Sequence, residues 1–403
     1  MRKLLLLFFL FNSYILYAQP GTIRINLNNL TSRDIAWVNT IHNSSHYEII
    51  IDSTTDLANF EKIKSFHNLN LIISVRVLPE EITLLCDSLQ DITVRRGDMK
   101  DGDMIADIIP TNLFDVSVLN KLKNLRSVNL EYYTGFELPE LNNLRKLKSL
   151  MIWGADQLKD LNSLSTCKSI ETLELQGLKL ETIDFQKLSK LNLVSLSLAE
   201  DRNLKNLKGL DKCSSLKTLY IEDSNNSKQK LDFDIGSMNL EELSLGYIQN
   251  LNDISKISES KSLRKLYIGN LPSLKKWDFD MNKMNLNLVS LSYMHVKNID
   301  GILNCRSIKE IDLMGLDSLK TINFVTNNNL QVIEIRSLPK LESINITNCT
   351  LLKNLTLTDN DQLIKIVNIQ QLQHIPYLNI RDNKNLAIPN KLKKSSYNQY
   401  INN

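Results

Sequence analysis

The chain has 403 residues, of which 42% are hydrophobic, with only 12 Gly and 8 Pro. It is too apolar for a disordered chain, too poor in Gly and Pro for a collagen-like or low-complexity one, and too long for a single compact core. With 48 Lys and Arg against 45 Asp and Glu the net charge is +3, which gives no electrostatic reason to expect a nucleic acid or an anionic membrane as partner.

Arg2 and Lys3 precede an apolar run from Leu4 to Leu16, interrupted only by Asn12 and Ser13 and followed by Tyr17-Ala18-Gln19. A charged start, a short apolar stretch and a small exit residue form the pattern of a secretory signal, predicting residues 1–18 as a signal peptide cleaved after Ala18. The run is shorter than the roughly 20 residues a membrane span needs. Loss of Arg2 and Lys3 leaves 46 positive against 45 negative charges. No later run approaches spanning length, so the mature chain is expected to lack a transmembrane segment and to be secreted or held at the cell surface or in the periplasm.

Residues 19–119 read as an N-terminal cap and early repeats. Ile51, Ile73 and Val94 lie 22 and 21 apart. Leu57, Phe60, Ile63 and Phe66 step by three, and Pro79 precedes Ile82, Leu85 and Leu89, so helices are expected in these crossovers. His42 and His46, with Glu48 nearby, have metal-ligand spacing, but Asn43-Ser44-Ser45 between them reads as a loop, and two surface histidines are the simpler account. An insertion near 95–119 carries Arg96-Gly97-Asp98, a tripeptide that integrins recognise in some adhesive proteins, and the acidic residues Asp98, Asp101, Asp103 and Asp107. Their spacing fits no calcium-binding frame and is expected to be a solvated acidic loop. Gly97 and Gly102 have phosphate-loop spacing, but Asp103 stands where Lys is needed. No metal or cofactor site and no catalytic constellation is read anywhere, so the chain is expected not to be an enzyme.

Residues 120–386 are dominated by a repeat: apolar, two of any type, apolar, one of any type, apolar. Its last position falls at Leu130, Ile152, Leu175, Leu198, Ile221, Leu245, Ile268, Tyr293, Leu313, Ile335, Leu357 and Ile380, in steps of 22, 23, 23, 23, 24, 23, 25, 20, 22, 22 and 23. Each of these twelve units alternates with period two, as in Leu173-Glu174-Leu175, and so predicts a short strand followed by a crossover with its own apolar anchors, such as Leu316, Leu319 and Ile322. No unit can bury its apolar side alone; stacked units bury it against one another. Residues 387–403 read as a polar tail, leaving the strand near Ile380 with a short polar cover.

The motif Leu-x-x-Leu-x-Leu, for example Leu352, Leu355 and Leu357, resembles the leucine-rich repeat family, and the unit length resembles that of exported bacterial members of the internalin-like class. The resemblance implies an α/β solenoid with a curved parallel β-sheet on the concave face and helices or irregular turns on the convex face. That family often places Asn three residues after the third strand anchor. Asn360 and Asn383 match, but Leu178, Ile248, Leu271, Val296, Leu316 and Leu338 occupy the slot, so the turn must be satisfied differently there.

Cys86, Cys167, Cys213, Cys305 and Cys349 each lie three residues before a strand-opening Leu or Ile. The same phase implies the same small buried pocket in each unit. Pairs two units apart would be roughly 10 Å apart, beyond the reach of a disulfide, so none is expected.

The outward strand positions are not dictated by the fold, and their identity is therefore informative. They contain seven acidic and three basic residues, a balance that repels phosphate backbones. Glu131, Met151, Trp153, Glu174, Tyr220, Glu222, Tyr267, Met294 and Met314 are the candidate contacts on the concave face, with Tyr132, Tyr247 and His295 at its rim. Exposed aromatics and Met are enriched at recognition surfaces. Trp277 is expected to be a convex-side anchor. A protein ligand is expected; a glycan, or a structural or self-associating envelope role, remains open.

Overall fold

The protein was analysed as a computed structural model, which describes residues 23–25, 27–33, 47–50, 56–64, 69–75, 78–96, 115–224, 230–275, 277, 279–388 and 399–401. The expected signal peptide, the His42/His46 pair, and Gly97 to Asp107 lie outside the described residues. The chain divides into two compact units, Met1–Leu158 with Thr166–Ile170, and Lys159–Ser165 with Glu171–Asn403.

In the first unit, β1 (Ile23–Ile25), β2 (Tyr47–Ile50), β3 (Leu69–Val75), β4 (Leu89–Arg96), β5 (Ser127–Glu131) and β6 (Ser149–Trp153) pair in parallel, each with the next. The third anchors align across the sheet: Ile25 with Ile49, Ile49 with Ile73, Ile73 with Val94, Val94 with Leu130, and Leu130 with Ile152. Ile49 therefore takes the place expected of Ile51. Isoleucine stands at 49, 50 and 51, so period two is satisfied in either register, and pairing with β3 selects the earlier one. The early crossovers are shorter than expected. Leu57–Asn59 is a 3₁₀ turn running into the one-turn helix α1 (Phe60–Ile63), and Pro79 leads into a 3₁₀ helix, Glu80–Leu85. Only the 13 residues 76–88 connect β3 to β4, too few for a longer helix and its two turns.

In the second unit, β7 (Thr172–Gln176), β8 (Ser195–Ala199), β9 (Thr218–Glu222), β10 (Glu242–Gly246), β11 (Lys265–Gly269), β12 (Leu288–Ser292) and β13 (Glu310–Met314) follow one another in parallel. The sheet continues through β15 (Val332–Arg336), β17 (Asn354–Thr358) and β19 (Tyr377–Arg381). Crossovers include the one-turn helices α2 (Phe185–Leu188) and α3 (Asp300–Leu303). Three others contribute a second parallel sheet that the repeat pattern does not announce: β14 (Thr321–Asn323), β16 (Ser343–Asn345) and β18 (Lys365–Val367). The expected polar tail contributes β20 (Gln399–Ile401), which pairs with β19 and aligns Ile401 with Ile380.

Alternation drives burial. Leu196 and Leu198 of β8 are fully buried, as are the crossover anchors Leu316, Leu319 and Ile322 to within 2%; each such side chain contributes roughly 1.5–3 kcal/mol against chain entropy. Trp277 is buried in a crossover as expected and stacks on Phe279, ring centroids 5.0 Å apart.

One frame correction follows from the ladder. β11 pairs Ile268 with Leu291 and β12 pairs Leu291 with Leu313. Leu291, not Tyr293, is the third anchor, and the irregular steps of 25 and 20 become 23 and 22. Leu286-x-x-Val289-x-Leu291 and Leu288-x-x-Leu291-x-Tyr293 both fit the repeat pattern, and backbone pairing decides between them. Tyr293 then takes the turn position and Met294 drops into the core, fully buried. Met294, rather than Val296, occupies the slot three residues past the anchor.

The residue two past the third anchor is left-handed in every unit from Tyr132 to Asp382, with φ between +45° and +64°. In most of these units its N–H donates to the carbonyl that ends the next strand, as in Tyr132 to Trp153 (2.7 Å), Tyr247 to Gly269 (3.1 Å) and Tyr293 to Met314 (2.8 Å). Gly adopts this conformation without cost, whereas other residues lose about 1–2 kcal/mol. Tyr132, Tyr247 and Tyr293 nevertheless adopt it. In the next slot, Asn360 and Asn383 behave as the resemblance implies. Asn360 accepts from the Leu338 N–H (3.1 Å) and donates to Ile335 O (3.3 Å), and Asn383 accepts from the Asn360 N–H (3.2 Å). Elsewhere Asp201 and Ser224 substitute: Asp201 accepts from the Leu178 N–H at 2.7 Å, and Ser224 Oγ accepts from the Asp201 N–H at 2.9 Å.

Candidate binding face

Each unit presents the sheet face opposite its core. In the first unit, Glu131 does not project into solvent. The parallel register sets Arg95 opposite Glu131, and their side chains pair at 2.6 Å, with the Asn129 amide donating to the other carboxylate oxygen at 3.0 Å. Glu131 is fully buried. Its neutralising partner stands across the insertion, 36 residues away, where the repeat frame is broken. Trp153 and Met151 are half-buried on the face. Tyr132 packs on Trp153, centroids 4.9 Å apart at 39°. Its ring also covers Gly154, where an added Cβ would lie 3.0 Å from Tyr132 Cδ1. Tyr132 and Trp153 thus form one apolar step, each partly sheltering the other.

In the second unit, Glu174, Tyr220, Glu222, Tyr267 and Met314 all stand half-buried on the open face. The Tyr220 hydroxyl donates to Glu242 Oε1 at 2.6 Å, and Lys265 Nζ holds Glu242 Oε2 at 3.0 Å. This chain closes one edge of the face between β9 and β11. Tyr247 and Tyr293 occupy left-handed rim positions, the latter packed over Gly315, where an added Cβ would lie 2.7 Å from its Cδ1. His295 lies beyond that turn, exposed, with Nδ1 2.6 Å from Asp317. Met294 leaves the candidate set because it is core, and Leu288, Ser290 and Ser292 are the β12 residues on this face.

The electrostatics are one-sided. Burial, reinforced by Glu200 and Asp223, pushes the Glu222 carboxyl up to about 7. Burial also raises Glu174 and Asp312, the latter held back by Arg336 and a hydrogen bond from Ser290. Burial, then Glu242 and Glu310, raises Tyr267 to about 12. These tyrosines are therefore neutral hydroxyl donors at physiological pH, beside carboxylates with little cationic compensation.

A cavity of about 450 Å³ opens between the crossovers after β10 and β11, but its carboxylate, Asp253, already caps its own turn through Ser255. Among the described residues no group of three His, Cys, Asp or Glu could hold a metal, and no helix is long and apolar enough to cross a membrane. All five thiols are free, with Cys86 half-buried and the other four buried. Burial pushes Cys213 up to about 11, with Asp211 adding to it, and Cys349 to about 12, which makes them poor nucleophiles. The sequence pattern missed Asp201, although an acid in the slot that holds Asn at 360 and 383 was visible once the frame was known.

The repeat length, the parallel pairing within each unit and the turn ladder together decide the fold. It is a leucine-rich repeat solenoid. No family model matches the chain, and no curated protein matches it by sequence. Among solved structures, this leucine-rich repeat chain is similar to a leucine-rich repeat protein of Leptospira interrogans, at 18% identity over 84% of this chain and 95% of that one, with a TM-score of 0.49. It is also similar to an internalin of Listeria monocytogenes, at 15% identity over 86% and 88%, TM-score 0.44. A third likeness is to a chain of the LRIM1/APL1C complex, at 15% identity over 87% and 57%, TM-score 0.42.

Proposed function

We propose that this chain is an exported, non-enzymatic binding protein that recognises another protein through the open face of its leucine-rich repeats, the concave face expected from the sequence. The observation that carries the reading is the set of large and charged side chains on strand positions the core does not use: Tyr267, Tyr220 and Glu222 in one unit and Trp153 in the other. Half-buried aromatic surface beside incompletely neutralised carboxylates suits a preformed protein-recognition surface. Export rests on the charged start and apolar stretch of residues 1–18. Catalysis has no support in the geometry, because the open-face carboxylates are spread along strands rather than gathered in a pocket.

The test is affinity capture on the immobilised chain, comparing untreated extract with extract digested by protease or by glycosidases. The reading expects capture to vanish after proteolysis, to survive deglycosylation, and to fall at least tenfold with Trp153→Ala or Tyr220→Ala. Capture that survives proteolysis and disappears on deglycosylation would assign the face to a glycan instead.

A further inference from the structure

The open face of the second unit has a size rhythm. In its middle column Glu174, Tyr220, Tyr267 and Asp312 stand on β7, β9, β11 and β13, and Ser197, Ser244 and Ser290 stand on β8, β10 and β12 between them. The register places these residues in one row across the sheet. The next column deepens the same gaps with Ala199, Gly246 and Ser292. Three gaps result, each floored by two small residues and walled in the middle column by larger ones; in the next column Gly269 on β11 leaves the second and third gaps joined. Strands lie about 4.8 Å apart, so the gaps recur roughly every 9.6 Å. A polyproline II segment advances about 3.1 Å per residue with three residues per turn, which puts every third side chain on one side at roughly 9.3 Å. The two rulers match within a few tenths of an ångström.

Charge selects what enters. From β7 to β15 this face carries Glu174, Glu222, Glu242, Glu310, Asp312 and Glu334 against Lys265 and Arg336, six acids to two bases. Glu242 is held by Lys265, and Asp312 and Glu334 by Arg336. Glu174 and Glu222, bordering the first two gaps, have no such cation among the described residues. The Glu222 side chain overhangs the second gap, its Cγ 3.8 Å from where a Cβ on Gly246 would sit. In the third gap, Ser292 is 98% buried on the open-face side of β12, and its Oγ has no hydrogen-bond partner among the described residues.

We propose that these gaps hold one extended, polyproline-II-like segment of a protein partner, seating an arginine at every third position over Ser197, Ser244 and Ser290. Arginine suits walls of tyrosine and carboxylate, since its guanidinium stacks on aromatic rings and pairs with acids. The inference rests on the reading of the open face as a protein-binding surface and specifies the partner's chemistry.

The test is titration of the full chain with two nonapeptides of one composition: Arg-Pro-Pro repeated three times, and Arg-Pro-Arg-Pro-Arg followed by four prolines. The in-phase peptide is expected to bind at least tenfold more tightly. Ser244→Tyr, which fills the middle gap, is expected to abolish that preference, and Thr321→Tyr on the second sheet to preserve it. Glu222→Gln, which keeps the shape, is expected to weaken the in-phase peptide at least threefold, and covers the case in which Ser244→Tyr fails to fold. Equal affinity for the two peptides, binding of neither, or full affinity in Glu222→Gln would overturn the proposal. Binding of neither peptide alongside protease-sensitive capture would remove the ruler and leave the protein-binding reading standing, whereas loss of capture would remove both.

Discussion

At the scale of single residues, two buried acids behave oppositely. Asp201 fills a slot where Asn360 and Asn383 donate amide hydrogens to backbone carbonyls, and a carboxylate has none to donate. Burial is the main cause that holds its carboxyl protonated to about 8, against an ordinary 3.8, and one of its oxygens is buried without a partner among the described residues. Between those values the folded state binds a proton that the unfolded chain has lost. The stability it confers is complete below pH 4 and falls as pH rises towards 8, by about 1.4 kcal/mol for each pH unit. Asp201→Asn is expected to flatten that decline and raise the melting temperature at pH 8; parallel melting profiles for the two proteins across this range would contradict the assignment. Glu131 is instead charge-paired with Arg95. Removing Arg95 strands a buried charge, at a cost of roughly 3–5 kcal/mol, whereas an exposed pair contributes about 0–1. Urea denaturation should therefore show Arg95→Ala far less stable than Arg202→Ala, which breaks the exposed pair with Asp223. Comparable losses would mean that burial does not govern these pairs. Alternation alone marked Glu131 as outward, because its partner lies beyond the insertion and no local pattern joins them.

At the scale of elements, the coil turns on a single left-handed residue per unit. Gly315 is the position where this is most confined, with φ +62° and the Tyr293 ring over it. Gly315→Ala is expected to cost about 1–2 kcal/mol from the backbone alone, and more from the contact with the ring. Tyr293→Gly in the same background should restore part of the loss. Additive effects of the two changes, measured by denaturant unfolding, would show that ring and glycine do not share the turn. Strands were legible because period-two alternation leaves a strong mark. Their registers were less so: three consecutive isoleucines at 49–51 and the overlapping frames at 286–293 each allow two choices that only hydrogen bonding to a neighbouring strand resolves. The second sheet was illegible for a related reason. Its strands bury one residue apiece, as Ile322 does between exposed Thr321 and Asn323, and a single apolar residue carries no period.

At the scale of the whole molecule, the repeat and its core were readable from the sequence, because stacking needs the same anchors in each unit. The open face was readable as columns but not as a surface, since exposure depends on neighbours that alternation does not name. Glu131 left the candidate set for that reason and Met294 because the frame moved to Leu291, and Ser290 and Ser292 gained importance as gap floors. What remains is a face on which Tyr220, Tyr267 and Met314 are only half-buried, opposite crossovers that expose Leu351 and Ile364. The most direct measurement is oxidative footprinting of these side chains with and without the captured protein. Binding through the open face predicts protection of Tyr220, Tyr267 and Met314 with Leu351 and Ile364 unchanged; protection of Leu351 and Ile364 with the tyrosines still reactive would contradict it.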